Sequence, residues 1–408
     1  MPVNRDRRSA WIVGAACAVA LAGAGVGPGA AAAQEVSFHG QVRPRYELRD
    51  PAGTGERDTF TSMRVRAALD AALDERVRIF VQVQDVRLFG EETNTLGDFR
   101  ADNFDLHQGW LEFGGEHLPW LRTRLGRQEV NLGGQRLAGA VGWTQQGRSF
   151  DGARLMVSGE RGTLNLIGFK LAEESSAANE ADQELFGAYG TLRSVGPGAL
   201  DLYWLFHRAE RDGPDTREHT LGARYAWSGA VDGRLEASLQ TGDRGDEDAS
   251  AFMVGARLGR SFAEGRAGLT LWYDYLSGDD DASDGESSVF NTLFATNHKF
   301  YGFADLFLNV PVHTGGAGLQ DLALKGRFTP RDDLALSVDL HRFQAAAGGL
   351  LADDHFADEI DLTVRHRYSP HLTMTAGLSR VFNVDGLREV GRLERSQTWL
   401  YVMFDALF

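Results

Sequence analysis

Arginines two residues apart recur along the chain: Arg43 and Arg45, Arg64 and Arg66, Arg76 and Arg78, then Arg365 and Arg367. A guanidinium is a planar fork of N–H donors that matches a carboxylate in bidentate fashion. Side chains of this type, repeated on one surface, suit the holding or passing of anions. Arg122, Arg124, Arg154, Arg224 and Arg257 extend the set. Only Lys170, Lys299 and Lys325 are lysine. Acids share the same stretches: Glu47, Asp70, Glu112, Glu236, Asp339, Glu359 and Asp361. The arginines therefore have two duties open to them, contact with a passing anion or cross-strand pairing that stiffens a wall. Roughly half are expected to be structural, with a minority exposed at a constriction.

A spacing of two is the period of a β-strand, in which alternate side chains share a face. In "RVRIFVQVQ", Arg76, Arg78, Gln82 and Gln84 oppose Val77, Ile79, Val81 and Val83. In "EIDLTVRHRY", Glu359, Asp361, Thr363, Arg365 and Arg367 oppose Ile360, Leu362, Val364 and Tyr368. The alternating segments run about 9–12 residues, the length of a tilted membrane strand rather than the usual five or six of a soluble sheet. Eighteen such segments can be placed between residues 36 and 408, the fifth at 121–130 and the sixth at 148–158. Short links alternate with longer, acidic, glycine-rich ones. The expected fold is therefore all-β, a transmembrane antiparallel barrel of 18 strands with short periplasmic turns and longer extracellular loops. Residues 299–308 read as part of a long outer loop from about 278 to 317, because an extra strand there breaks the short-long alternation. A barrel of this size leaves an aqueous lumen, and rings of arginine in it favour anions.

Residues 1–33 have the basic start, apolar middle and small-residue end of a secretory signal, and residues 34–408 are the expected barrel domain. Removing Arg5, Arg7, Arg8 and Asp6 takes the formal charge from −15 to about −17. Cys17 is the single cysteine and falls in the signal, so the remainder offers neither disulfide nor thiolate metal ligand. Leu400, Val402, Phe404, Ala406 and Phe408 form a period-two apolar face that ends the chain, the kind of ending that outer-membrane barrels present to their assembly machinery. Trp399 and Tyr401 are expected in the interfacial aromatic girdle.

The stretch "GRQEVNLGGQRLAG" at 126–139 joins strands five and six. With Gly126-Arg127-Gln128, Leu132-Gly133, Arg136-Leu137, Gly139, Trp143 and Arg148-x-Phe150-Asp151-Gly152 it resembles the alginate export family of outer-membrane porins. "RPRYE" from Arg43 and "FNTLFATNHKFYGFAD" from Phe290 fit the same family. The resemblance implies an arginine-rich tunnel passing anionic polyuronate, with Arg127, Arg136, Arg148 and Asp151 as the motif's charged residues. The compact chain is expected to lack a long inserted plug, which leaves a small-solute channel open as well. The pore-lining candidates are Arg43, Arg45, Arg64, Arg66, Arg78, Arg124, Arg127, Arg136, Arg148, Asp151, Arg154, Arg365 and Arg367. The implied partners are an anionic polysaccharide or small anionic solute, lipopolysaccharide and outer-membrane lipid, with no nucleic acid.

Rival readings are weaker. The glycine-rich stretch has neither phosphate-loop spacing, and no G-x-S-x-G elbow is present. A barrel enzyme assembled from separate strands has His207, Asp339 or His341 as candidates, and a purely structural barrel is the other alternative. No catalytic residue, cofactor or metal is implied. The acidic run "GDDDASDGE" at 278–286 reads as a solvated outer loop, with calcium binding as its sharper alternative.

Overall fold

The computed structural model describes residues 35–90, 104–115, 117–173, 182–210 and 215–408. The signal segment 1–33 lies outside the described residues. The strands are β1 (Glu35–Asp50), β2 (Asp58–Ala72), β3 (Val77–Leu88), β4 (Phe104–Gly114), β5 (Leu121–Gln128), β6 (Phe150–Gly159), β7 (Gly162–Ala172), β8 (Gln183–Val195), β9 (Gly198–Ala209), β10 (Thr216–Trp227), β11 (Asp232–Arg244), β12 (Glu247–Phe262), β13 (Ala267–Leu276), β14 (Glu286–Ser287), β15 (Leu319–Arg331), β16 (Leu334–Gln344), β17 (His355–Arg367), β18 (Leu372–Phe382) and β19 (Gln397–Leu407). Each barrel strand is antiparallel to its neighbours in chain order, and β1 on β19 closes the ring. The two-residue β14 lies outside the antiparallel ring: it pairs parallel with β12, while β13 pairs directly with β15. The ring therefore has 18 strands. Closure leaves no edge with unpaired backbone groups, which is what a lipid environment demands.

Strand β11 shows how burial is turned inside out. Leu235 and Leu239 are 51% and 64% exposed, whereas Arg234, Glu236, Ser238 and Gln240 between and beyond them are buried. Leu202, Leu221, Val254, Leu271, Leu322 and Leu362 continue the exposed apolar surface around the ring. A contiguous apolar exterior over a polar interior fits a membrane barrel and no soluble sandwich.

The first and last described residues lie at the rim of the short turns. Glu35 pairs with Ala72, one end of the β2–β3 turn. Gly40 and Phe408 exchange backbone hydrogen bonds of 2.7 and 3.1 Å. The Phe408 ring lies over Gly40 so closely that a Cβ there would require the ring to shift.

Three expectations need correction. Trp399 and Tyr401 do not join a lipid-side girdle: both are buried and face inward, because they alternate with outward Leu400 and Val402. They pack against Trp143 at 5.8 and 4.9 Å between ring centroids. The β11–β12 link is not a long loop. Asp243, Arg244, Glu247 and Asp248 continue the ladder to a two-residue turn at Gly245–Asp246. The expectation of no long plug is overturned as well. Loops 129–149 and 277–318 fold into the lumen, and their Val130, Leu132, Leu137, Phe290, Phe300, Tyr301, Phe307 and Val310 form an apolar core there with wall residues Phe150, Phe169, Leu185, Met253 and Phe343. Residues 299–308 do form loop rather than strand, as the spacing implies.

The exposed leucines predict a simple test. Replacing Leu239 with arginine should destabilise the barrel by about 2–4 kcal/mol in lipid, the cost of a lipid-facing cation near the midplane. Denaturant titration in vesicles measures it; an unchanged midpoint would place Leu239 away from lipid.

Candidate functional site

The arginine ladder of β1 and β2 holds a loop. Arg43 donates to the Gln145 side chain at 3.0 Å and to the carbonyls of Gly142, Trp143 and Thr144 at 2.8, 3.1 and 2.6 Å. Arg64 reaches the carbonyls of Thr144 and Gln145 and the Gln41 side chain. Arg66 donates to Gln84, Glu129 and the Gln146 carbonyl. Arg45 pairs with Glu47 at 2.8 Å, donates to the Trp143 carbonyl and lies 4.4 Å from the centre of the Trp143 ring. Strand alternation points all four inward. Loop carbonyls from 142 to 146 have no ladder partners, so the guanidinium donors satisfy them.

Arg136 fastens the same loop on the opposite side. It is 1% exposed and donates to Asp274 and to the Tyr301 hydroxyl, both at 2.8 Å, with Glu236 at 3.5 Å. Burial alone would lower its pKa; Asp274, Tyr301 and Glu236 outweigh that and keep it firmly charged. Loop 277–318 is zipped onto loop 129–149 by the amides of Gly139, Phe294 and Thr296 donating to the carbonyls of Phe294, Leu137 and Gln135. The Phe300 ring then sits among cations, with Arg136 at 4.2 Å, Arg257 at 5.2 Å, and Arg234 and Lys299 at 5.9 Å from its centre. Gly133 has φ +51, and a Cβ there would meet the Tyr189 hydroxyl at 2.0 Å, so the turn of the "NLGGQ" stretch requires glycine.

The other candidates are dispersed. Arg124 pairs with Glu112 at 2.6 Å and lies 3.7 Å from the centre of the Trp110 ring. Its cross-strand neighbour Arg154 donates to Asn165. Arg78 pairs with Asp70. Arg365 and Arg367 are exposed on the inward register at the short-turn end of β17, with Arg367 donating to the Asp332 carbonyl. Arg148 donates to the Ala295 carbonyl and links the two loops. Arg127 and Asp151 form a 2.7 Å pair, but they alternate with Gln128 and Phe150, which are buried inward. The pair therefore faces away from the lumen and leaves the pore-lining set. Asp339 and His341 join a chain: Asp321 to His341 at 2.9 Å, then Lys325 to His341 at 3.0 Å and to Asp339 at 2.8 Å. His207 lies on β9 against Phe294. In the exposed acidic run, Asp279, Asp281 and Asp284 accept backbone N–H groups two residues on.

Tertiary structure adds residues that the motif left unmarked. Arg234 and Arg257 are paired across β11 and β12, with Arg224 on β10 beside them. Arg224 binds Asp201 at 2.7 Å. The Nε and Nη2 donors of Arg234 and Arg257 are buried and have no hydrogen-bond partner among the described residues. Lys299 is exposed amid buried neighbours. Partial desolvation by the surrounding loops, then the charges of Arg257, Arg234, Arg224 and Arg136, hold its ammonium below the usual lysine value. Beside this cluster is a cavity of about 560 Å³, bordered by Glu129 and Trp143 of one loop, Lys299 and Phe303 of the other, and Trp272, Lys325 and Asp339 of the wall. Arg234 was legible as the register partner of Glu236 in "RLEASLQ"; Lys299 had only its rarity, one of three lysines, to mark it.

Comparisons with known proteins agree with this architecture. The family model described as alginate export matches residues 34–399. Among solved structures, Pseudomonas aeruginosa OpdO superposes with a TM-score of 0.61 at 12% identity, covering 92% of this chain and 97% of that one. OccK5 (OpdH) from the same organism gives 0.62 at 10% identity, with 92% and 98% covered. The outer membrane protein OprD, also from Pseudomonas aeruginosa, gives 0.59 at 14% identity, with 91% and 94% covered. No curated protein sequence matches the chain.

The Arg136 anchor is testable by Arg136→Met, which leaves Asp274 buried without its ion-pair partner and Glu236 with Arg234 alone, 3.8 Å away. Breaking a buried pair in this way costs about 3–5 kcal/mol. The ring does not depend on Arg136, so the barrel should persist while both loops are cut faster by protease and unit conductance rises. Unchanged cleavage and conductance would show that the loops hold without it.

Proposed function

The chain belongs to the alginate export family of bacterial outer-membrane channels, and we propose that the solutes it passes are anionic. The observation that carries this reading is the convergence of Arg224, Arg234, Arg257 and Lys299 about Phe300, where Arg257 and Lys299 have no carboxylate partner among the described residues, while Arg224 pairs with Asp201 and Arg234 lies 3.8 Å from Glu236. Guanidinium and ammonium groups gathered in a pore draw anions into it. Arg365 and Arg367 add exposed positive charge on the lumen side near the periplasmic rim. An acidic polyuronate chain and small organic anions both match this chemistry. The family favours the first; the two loops folded into the lumen favour the second.

The Glu359 and Asp361 carboxylates bear on transport differently. Glu359 accepts the Ala304 amide at 2.7 Å and Asp361 the Phe303 amide at 3.3 Å. They act as anchors for loop 277–318.

The test is the reversal potential of the purified, folded barrel in planar bilayers under a potassium chloride gradient. Chloride should be preferred over potassium, and changing Arg224, Arg234 and Arg257 together to glutamine should abolish the preference. A cation preference, or no conductance, would refute the reading. The pH dependence has a definite sign. Lys299 loses its charge as pH rises through its lowered pKa, so anion preference should begin to fall below the ordinary lysine range near about 10.4. A preference constant up to that pH would remove Lys299 from the selective site.

A further inference from the structure

Two buried carboxyl groups hold the tip of loop 277–318, and one of their oxygens lacks a donor. Glu359 and Asp361 stand two residues apart on β17, so both point inward, and both are buried. Glu359 Oε1 accepts the Ala304 amide and Asp361 Oδ2 the Phe303 amide. The Ser379 hydroxyl donates to Asp361 Oδ1. Glu359 Oε2 is buried and meets no N–H or O–H donor among the described residues. The Asp361 carboxyl lies within hydrogen-bonding reach of the Glu359 carboxyl. Gly302 completes the contact: its φ of +76 favours glycine, and a Cβ there would require the Glu359 carboxyl to shift.

No cation is free nearby to neutralise two charges. Neither carboxyl belongs to an ion pair among the described residues, and the groups that face them are otherwise engaged. Their register partners on β16 are His341 and Asp339. Lys325 of β15 donates to both. An ammonium only donates, so His341 accepts through Nε2, is neutral, and turns Nδ1 to Asp321. On the loop, Asp305 is bound by His298 and by Arg49 of β1. Glu47 of β1 takes Arg45 and Arg49. On β18 the register partners are Ser379 and Val381, and β19 adds the Tyr401 phenol. Two carboxyl groups this close and out of water cannot both be ionised without strong repulsion. One proton between them removes the repulsion and supplies the donor that Glu359 Oε2 lacks.

We propose that Glu359 and Asp361 share one proton, and that this proton latches loop 277–318 inside the lumen. With the proton in place the pair carries a single charge and keeps its outer oxygens aimed at the two loop amides. Its loss sets two like charges side by side; they move apart, and the acceptor geometry that holds the loop tip is lost. Protonation of both groups leaves carbonyl oxygens as acceptors, so acid keeps the latch shut. The lumen therefore widens as pH rises. The inference rests on the chain being a channel and not on which ions pass.

The experiment is unit conductance of the full barrel in planar bilayers from about pH 5 to about pH 10, across the carboxyl and lysine ranges. Conductance should be level in acid and rise about twofold or more on the alkaline side, as the loop leaves the lumen. Glu359→Gln has no proton to lose, and its amide still accepts from Ala304 and donates to Asp361. It should stay at the low conductance throughout, and Asp361→Asn should do the same. Gly302→Ala should open at lower pH than the unmodified barrel. Cleavage of loop 277–318 by added protease, compared with Glu359→Gln at the same pH, reads the same event without current. Lys299 is intact in all these variants, so its titration cannot produce a difference between them. Conductance level across the range, or the same rise in Glu359→Gln and Asp361→Asn, would overturn the latch and leave chloride preference untouched. Absence of any current would overturn the channel reading instead; loop cleavage then decides the latch, and cleavage equal to that of Glu359→Gln at every pH would overturn it too.

Discussion

Every feature of this molecule follows from the demand that backbone N–H and C=O groups be paired where no water can reach them. A sheet meets that demand in lipid only by closing, and here β1 meets both β2 and β19 in continuous register. Closure fixes alternation around the whole ring, so one set of side chains faces lipid and the other faces the lumen. Leucine and valine cover the outside. The polar set, with its arginines, has nowhere to go but inward.

An 18-strand ring is too wide for its own side chains to fill, and the chain fills part of it with loops. That step creates an unusual core. Phe300, Tyr301 and Phe307 are buried as deeply as residues of a soluble domain, yet they belong to a loop and are surrounded by charged wall residues. The charges resolve into two groups. Arginines of β1 and β2 bind loop carbonyls, and arginines of β10 to β12 gather around Phe300 and Lys299. Buried acids Asp274, Asp321, Glu359 and Asp361 lie on β13, β15 and β17. Buried acids also lie among the arginines, Asp201 beside Arg224 and Glu236 beside Arg136, so the wall is a mosaic of pairs in which Arg257 and Lys299 stand out. Polar duties are likewise divided. Arg43 and Arg64 satisfy backbone, Arg136 is neutralised by Asp274, Arg234 lies beside Glu236, and Arg257 lies over the Trp272 ring.

The period of two and the segment lengths determined the fold from sequence alone, because alternation and strand length are local consequences of a lipid-spanning ring. They determined that arginines of the β1–β2 ladder face inward. Tertiary structure decided what each arginine touches. Arg43 and Arg127 look alike in the chain, but one braces a loop and the other pairs with Asp151 on the outer surface. Trp399 and Tyr401 look like girdle residues until their register turns them toward Trp143. The infolding of loops 129–149 and 277–318 left no periodic mark, because it depends on contacts between segments more than a hundred residues apart, such as Arg136 with Asp274 and Tyr301. Side-chain direction is written in the strand period; partnership is settled only when distant segments meet inside the closed ring.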